Sequence, residues 1–181
     1  MADTLENERD IIRRCQAGDI SAYKTLYACF EQPLLRLGLR MLGQQEDAED
    51  AVQITFLRLY RSIRNFQSRS RLSTYLFRIM TNVCFDTLEK RKQDTARKRE
   101  ATEPVYVSHD ALRFKLETHI ATLPDRMRAC FVLFAVEGFR QAEIADILNL
   151  SIGAVKAHIY QAKARLRKQL SDPQKDTPDD L

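Results

Sequence analysis

Tryptophan is missing from this 181-residue chain, which has only five glycines, five prolines, four cysteines and three histidines. So few backbone punctuators argue against a many-stranded sheet built on tight turns and favour long helices. Cys15, Cys29, Cys84 and Cys130 stand far apart without CxxC spacing, and His109, His119 and His158 are equally scattered. That pattern gives no zinc site and no disulfide framework. Reduced, mostly buried thiols are expected, with no metal and no cofactor. No run approaches the ~18 apolar residues of a membrane span. The acidic, polar N-terminus does not read as a signal peptide, so a cytoplasmic location is expected.

What the chain does have is a 44% hydrophobic content, enough for real cores, and a net charge of +4 laid out in blocks. Acids cluster at Glu46, Asp47, Glu49 and Asp50 and in the tail from Asp172 to Asp180. Bases cluster from Arg58 to Arg71, from Lys90 to Arg99 and from Lys163 to Lys168. Such blocks suit polyanion-facing surfaces set apart from one acidic partner surface, although each block alone is equally consistent with a solvated face.

Apolar residues recur at spacings of three and four almost throughout. Ile11, Ile12 and Cys15 mark a short helix, and a second begins at Asp19 and runs through Tyr23, Leu26, Tyr27 and Phe30. Pro33 fits the first turn of a third helix carrying Leu34, Leu37, Leu39 and Leu42, which Gly43 ends. A long helix is expected from Glu46 to Arg64, then a polar loop, Gln67 to Arg71, then a helix from Ser73 to about Lys92. Residues 93–111 are charged, carry Pro104 and lose the helical stripe, as an interdomain linker would. Helical pattern resumes near Leu112, with a helix boundary at Leu123-Pro124-Asp125 and another at Gly138. The expected architecture is all-α, with two small helical domains joined by a flexible linker. They span residues 1–92 and 112–170, with the linker at 93–111 and an acidic disordered tail at 171–181.

The segment Gln141 to Tyr160 reads as a helix, a three-residue turn and a second helix of a DNA-reading unit. Ala142, Ile144, Ala145 and Leu148 give the first helix an apolar face, with Ala145 small where the two helices approach. Asn149 tolerates the left-handed backbone such a turn needs. Ser151 can cap the next helix. Val155 and Ile159, four apart, face inward. The outer side carries Ala154, Lys156, His158, Lys163, Arg165, Arg167 and Lys168, and no acid occurs from Ser151 to Leu170. A basic helix presented this way fits a major groove, its cations on phosphates.

In the first half, Asp47-Ala-Glu-Asp-Ala-Val-Gln-Ile-Thr-Phe-Leu57 resembles the core-polymerase-binding helix of bacterial sigma factors. Phe66, Ser68, Ser70, the run Ser73 to Ile79, Asn82 and Asp86 continue the resemblance in order. Leu123 to Arg126, Phe131, Gly138 and Glu143-Ile144-Ala145 are similar to the promoter-reading end of the same proteins. Over roughly residues 8–170 the chain resembles the extracytoplasmic-function group of the sigma-70 family. It departs from the group at Tyr75 (usually Trp), at Asn149 (usually Gly), and at Ile152 and Ala154, where polar residues are common.

The resemblance implies a promoter-specificity subunit without catalysis of its own. Its partners would be core RNA polymerase, promoter DNA and an anti-sigma factor that controls it. The polymerase-binding residues would be Asp47, Glu49, Asp50, Gln53 and Phe56, with Asp50 and Gln53 foremost. Glu46 and Asp47 also suit a helix N-terminus on electrostatic grounds alone. The −10 element would be read and melted by Phe66, Ser68, Arg69, Ser70, Arg71, Tyr75, Arg78 and Asn82, with a flipped base held by the loop. Tyr75 fits core or DNA equally, and Phe77 fits the core better. Arg91, Lys92 and the run Arg97 to Arg99 would meet phosphates. The −35 element would be read by Ser151, Ala154, Lys156, His158, Lys163 and Arg165. Two rivals, a response-regulator activator and a serine recombinase, both require β-strands in the first half.

Overall fold

The computed structural model of the chain describes residues 8–68, 70–97 and 111–171. Among these are eight α-helices, one 3-10 turn and no strand, which removes both rivals. The helices are α1 (Glu8–Gln16), α2 (Ile20–Leu42), α3 (Gln45–Ser62), α4 (Leu72–Arg97), α5 (Ala111–Ala121), α6 (Asp125–Ala135), α7 (Gln141–Leu148) and α8 (Ile152–Ser171). The 3-10 turn, Ile63–Asn65, follows α3 directly.

Asp19 starts α2 as the sequence suggests, its carboxylate accepting the Ser21 N–H at 2.8 Å and the Arg14 Nε–H at 2.8 Å. Bonds from Ser21 and then Arg14 hold that carboxyl down at about 2. Gly43 ends the helix in the left-handed region, at φ 77°. The helix boundary expected at Pro33 does not exist, because α2 runs through it unbroken. Pro33 withholds one N–H from the helix ladder. Leu26 and Phe30 before it and Leu34 and Leu37 after it are all buried, and their packing carries the helix across the gap.

Gly38 marks a tight crossing in the first half. A Cβ placed there would meet Met80 Cε at 2.7 Å, Ala48 Cβ at 3.1 Å and Ala48 Cα at 3.3 Å, so α2 lies close to α3 and under the Met80 side chain of α4. The α3 face turned inward is built of Ala48, Ala51, Val52, Thr55 and Leu59. Thr55 satisfies its buried hydroxyl on the Ala51 carbonyl at 2.7 Å.

In the second half, α6 ends where Gly138 takes φ 74° and the Phe139 N–H reaches the Leu133 carbonyl at 3.0 Å. The turn between α7 and α8 has the expected chemistry. Asn149 sits at φ 51°, ψ 52°, and the Ser151 Oγ accepts the Ala154 N–H at 3.1 Å. Ile144, Ala145, Ile147 and Leu148 form the buried face of α7; Ala142, expected there, is exposed.

The halves pack on each other, α4 against α7 and α2 against α5 and α6, and their buried residues form one continuous cluster. Phe77 meets Phe139 edge-on, ring centroids 4.8 Å apart. Polar contacts rim this seam. Arg40 pairs with Glu117 at 2.6 Å, Lys92 with Asp125 at 2.6 Å, and Arg36 with the buried Glu137 at 3.6 Å. The Arg126 guanidinium lies 5.5 Å from the centre of the Phe85 ring. Helix α4 continues to Arg97, across the first residues assigned to the linker. Residues 98–110, the rest of that segment but for Ala111, and the tail 172–181 lie outside the described residues, as do Lys98 and Arg99 among the expected phosphate contacts.

Candidate nucleic-acid and partner interfaces

Helix α3 shows an outward stripe opposite its small-residue core face. Asp50, Gln53, Ile54 and Leu57 stand on it at helical spacing, all exposed. Leu57 is 58% exposed and Tyr60, at the flank, 55%. These apolar groups beside acids are what a protein partner would cover. The sequence pattern already places Ala48, Ala51, Val52, Thr55, Phe56, Leu59 and Ile63 inward and leaves Ile54 and Leu57 off that face; their part in an interface was not drawn from it. The other expected members are differently engaged. Asp47 pairs with Arg91 of α4, which also donates to the Leu42 carbonyl at 2.6 Å. Glu49 accepts from the Gln45 Nε2 at 2.6 Å. Phe56 is half-buried against the Tyr27 ring, 4.8 Å between centroids.

At one end of the first half, the loop after the 3-10 turn and the start of α4 enclose a cleft of about 310 Å³. Its lining is Ser62, Asn65, Phe66, Gln67, Ser70, Tyr75 and Arg78. The Phe66 and Tyr75 rings meet 4.8 Å apart, tilted by 34°, and give the cleft an aromatic wall. Arg78 brings a guanidinium whose Nε is buried and donates to no group among the described residues. Ser68 takes φ 51° and is exposed, Arg71 is exposed, and Arg69 lies outside the described residues. Asn82 is exposed one helical turn beyond Arg78. Phe77 points the other way, into the seam with Phe139. Thus Tyr75 is on the cleft and Phe77 in the core.

Two residues the sequence reading missed hold this loop. Gln16 Nε2 donates to the carbonyls of Ile63 at 3.1 Å and Phe66 at 3.0 Å. The Glu8 carboxylate accepts the Leu72 N–H, the first of α4, at 2.9 Å.

On α8, the buried row is Val155, Ile159, Ala162 and Leu166. Directly opposite, at 100° per residue, stand Gly153, Ala157, Tyr160 and Ala164, with Gln161 beside them. Tyr160 is 75% exposed. Lys156, Lys163 and Arg167 form one flank of this ridge; Arg165, with Ala154 and His158, lies on the other. Ala154 and His158 are only half exposed, and Lys163 Nζ sits 4.9 Å from the centre of the Phe134 ring. The ridge opposite the buried row is therefore narrow and small, with cations along its sides. Ala154, Lys156, His158, Lys163 and Arg165, expected on the outer side, lie on the flanks, and Ala157 and Tyr160 stand at the crest beside Gln161. A helical wheel centred on Val155 and Ile159 was the available signal.

Cys15, Cys84 and Cys130 are buried, and Cys29 is half-buried. Burial pushes the Cys15 and Cys130 thiols up to about 11 and that of Cys84 to about 12, so none of these three is a thiolate at neutral pH. No helix among the described residues is long and apolar enough to cross a membrane.

Comparison with known proteins gives these surfaces a family context. Residues 26–94 match the Sigma-70 region 2 family and residues 113–166 the Sigma-70, region 4 family. The chain is 31% identical over 179 residues to the ECF RNA polymerase sigma factor SigW of Bacillus subtilis, covering 89% of this chain and 95% of that protein. It is 33% identical over 152 residues to the ECF RNA polymerase sigma factor SigE of Mycolicibacterium smegmatis, covering 78% of this chain and 59% of that one. Among solved structures, the sigma factor RpoE of Bartonella quintana, crystallised with the anti-sigma factor NepR, superposes with a TM-score of 0.73 at 21% identity, over 84% of this chain and 98% of that one.

Proposed function

We propose residue roles from one premise: the chain belongs to the extracytoplasmic-function sigma factors of the sigma-70 family. It binds core RNA polymerase and directs it to promoters by reading −35 and −10 elements and aiding strand opening. It performs no chemistry of its own; the polymerase does. It works in the cytoplasm, and an anti-sigma factor of the kind seen with the Bartonella quintana neighbour holds it inactive. The first helical domain reads and melts the −10 element, and the second reads the −35 element.

The observation that carries the residue-level reading is the cleft at the α4 start. A base leaving the stack needs an aromatic surface and polar groups that replace its lost partners. Phe66 and Tyr75 supply the first, and Ser70, Gln67 and Arg78 the second. The cleft, at the lower end of the roughly 300–1,000 Å³ range of small-ligand sites, suits a single unstacked base. On α3, Asp50 and Gln53 meet the polymerase, with Ile54 and Leu57 as the apolar centre of the contact. On α8, Ala157, Tyr160 and Gln161 enter the groove, while Lys156, Lys163 and Arg165 settle on phosphates.

The test is reconstituted transcription with core polymerase. Asp50→Arg combined with Gln53→Ala should weaken core binding while helicity stays unchanged; wild-type core affinity would remove α3 from the interface. On α8, Arg165→Ala should weaken all −35 variants alike and flatten the salt dependence by about one unit. Gln161→Ala should instead change which −35 variants are preferred.

A further inference from the structure

We propose that α1 is a splint for the base-holding cleft, and that Gln16 is the positioning residue through which it acts. The inference rests on the reading of that cleft as the site of a flipped −10 base.

The argument starts from the loop's own weakness. Residues 66–68, 70 and 71, the described part of the link between the 3-10 turn and α4, lie outside any helix, and Ser68 sits in the left-handed region at φ 51° without being glycine. A loop of this kind does not fix an aromatic wall by itself. Phe66 is the hinge, because its ring faces Tyr75 and its backbone is the first residue after the 3-10 turn. Gln16 uses both hydrogens of one amide to tie down the carbonyl of Ile63, which begins that turn, and that of Phe66, which follows it. At the loop's far end the Glu8 carboxylate takes the first N–H of α4, a donor that no helix can satisfy internally. One short helix therefore grips both ends of the loop, eight residues apart along its own length. It is itself anchored by buried Ile11, Ile12 and Cys15 and by the Tyr23 hydroxyl, which donates to the Cys15 carbonyl at 3.1 Å.

The chemistry at position 16 is specific. Only a side chain with two donors at this reach can serve two carbonyls at once. A glutamate of the same shape has none when ionised and would repel both oxygens. Gln16 touches no base. Its effect passes through the backbone of Phe66 to the wall on which the base rests.

The experiment uses holoenzyme formed from the full chain and core polymerase. The probe is a fluorescent single strand carrying the −10 element that this holoenzyme itself selects from a randomised library. Affinity is measured for the intact strand and for versions abasic at each position in turn. Wild type should lose affinity on removal of one base, about tenfold for a stacked and contacted base. Gln16→Glu should bind the intact strand about tenfold more weakly and the strand abasic at that position as wild type does, its melting temperature and core affinity being nearly unchanged. Glu8→Ala, which releases the loop's other end, should show the same pattern more mildly, and it decides the matter if Gln16→Glu does not fold. A wild-type protein indifferent to every abasic position overturns the cleft reading and the splint with it. A wild type that discriminates, with both variants discriminating equally well, overturns the splint alone. Equal losses on intact and abasic strands would make Gln16 a general structural residue and also overturn it.

Discussion

At the C-terminal end the turn that sets α8 is closed by neighbours. Asn149 supplies the left-handed residue, the Leu150 N–H returns to the Ala145 carbonyl at 3.0 Å, and Ser151 caps the helix three residues on. At the cleft in the first half, the groups that fix the loop come from 47, 50 and 64 positions away. One proposed DNA-facing end is specified locally and the other is assembled by the tertiary structure. An injury to helix packing should reach the cleft, whereas an injury to the turn should stay where it is made.

The largest expected effect tests the assembled end at the crossing beside Gly38. Gly38→Val would displace the Met80 side chain and press α2 against Ala48 of α3. Overpacking of this kind costs about 3 kcal/mol, or roughly 6–12 °C in Tm for a chain of this size. Promoter melting should fall with it, and calorimetry beside an open-complex assay would show both. An unchanged Tm in the Gly38→Val protein would mean that the crossing yields.

Next comes the aromatic wall. Tyr75→Ala should cost open-complex formation roughly 1–3 kcal/mol, the worth of one base stack, while initial promoter binding changes less. A pre-melted bubble template should restore part of the loss. If the variant instead melts as early as Gly38→Val, Tyr75 serves the core and the comparison between the two ends loses its aromatic reader.

The local end offers the matching experiment. Ser151→Ala removes the cap of α8 and should cost about 1 kcal/mol. It should weaken binding to duplexes carrying the −35 element while leaving single-strand −10 affinity at the wild-type value. A parallel drop in both would show that the turn is not autonomous.

The smallest effect lies at the seam. Glu137 is buried, and desolvation raises its pKa despite Arg36 and Arg40 nearby. A carboxyl raised in the folded state contributes stability below its ordinary range and loses it as pH rises through the folded value. Glu137→Gln should therefore be slightly more stable than wild type at pH 7–8, the two melting curves converging toward pH 4. A variant less stable than wild type at pH 7 would show that the pairing with Arg36 outweighs burial.

The same division explains what could be read from the chain. The all-α class, the end of α2 at Gly43, the αL turn at Asn149 and the cap at Ser151 were legible, because each is decided by side chains within a few positions. Pro33 misled because the local rule gave way to the burial of Leu26, Phe30, Leu34 and Leu37 around it. The inward stripe of α3, Ala48, Ala51, Val52, Thr55 and Leu59, was legible from its spacing and leaves Ile54 and Leu57 outside, but spacing alone does not say that an exposed apolar pair meets a partner. Gln16 and Glu8 were invisible for a plainer reason. A glutamine and a glutamate in a polar N-terminal helix carry no mark of the distant backbone they will meet.

The seam between the halves has a consequence for binding equilibria. Elements near −35 and −10 lie about 25 base pairs apart, roughly 85 Å along the duplex at 3.4 Å per step. A compact body of this length is roughly 40 Å across. A chain that reads both elements at once must part Phe77 from Phe139, Arg40 from Glu117 and Lys92 from Asp125. The apparent promoter affinity is then the intrinsic affinity multiplied by the fraction of molecules already parted. Each ~1.4 kcal/mol held in the seam lowers that fraction about tenfold, and a ligand shifts it only through its differential affinity for the two arrangements. Any partner that held the halves apart would make the DNA appear to bind more tightly without touching a base.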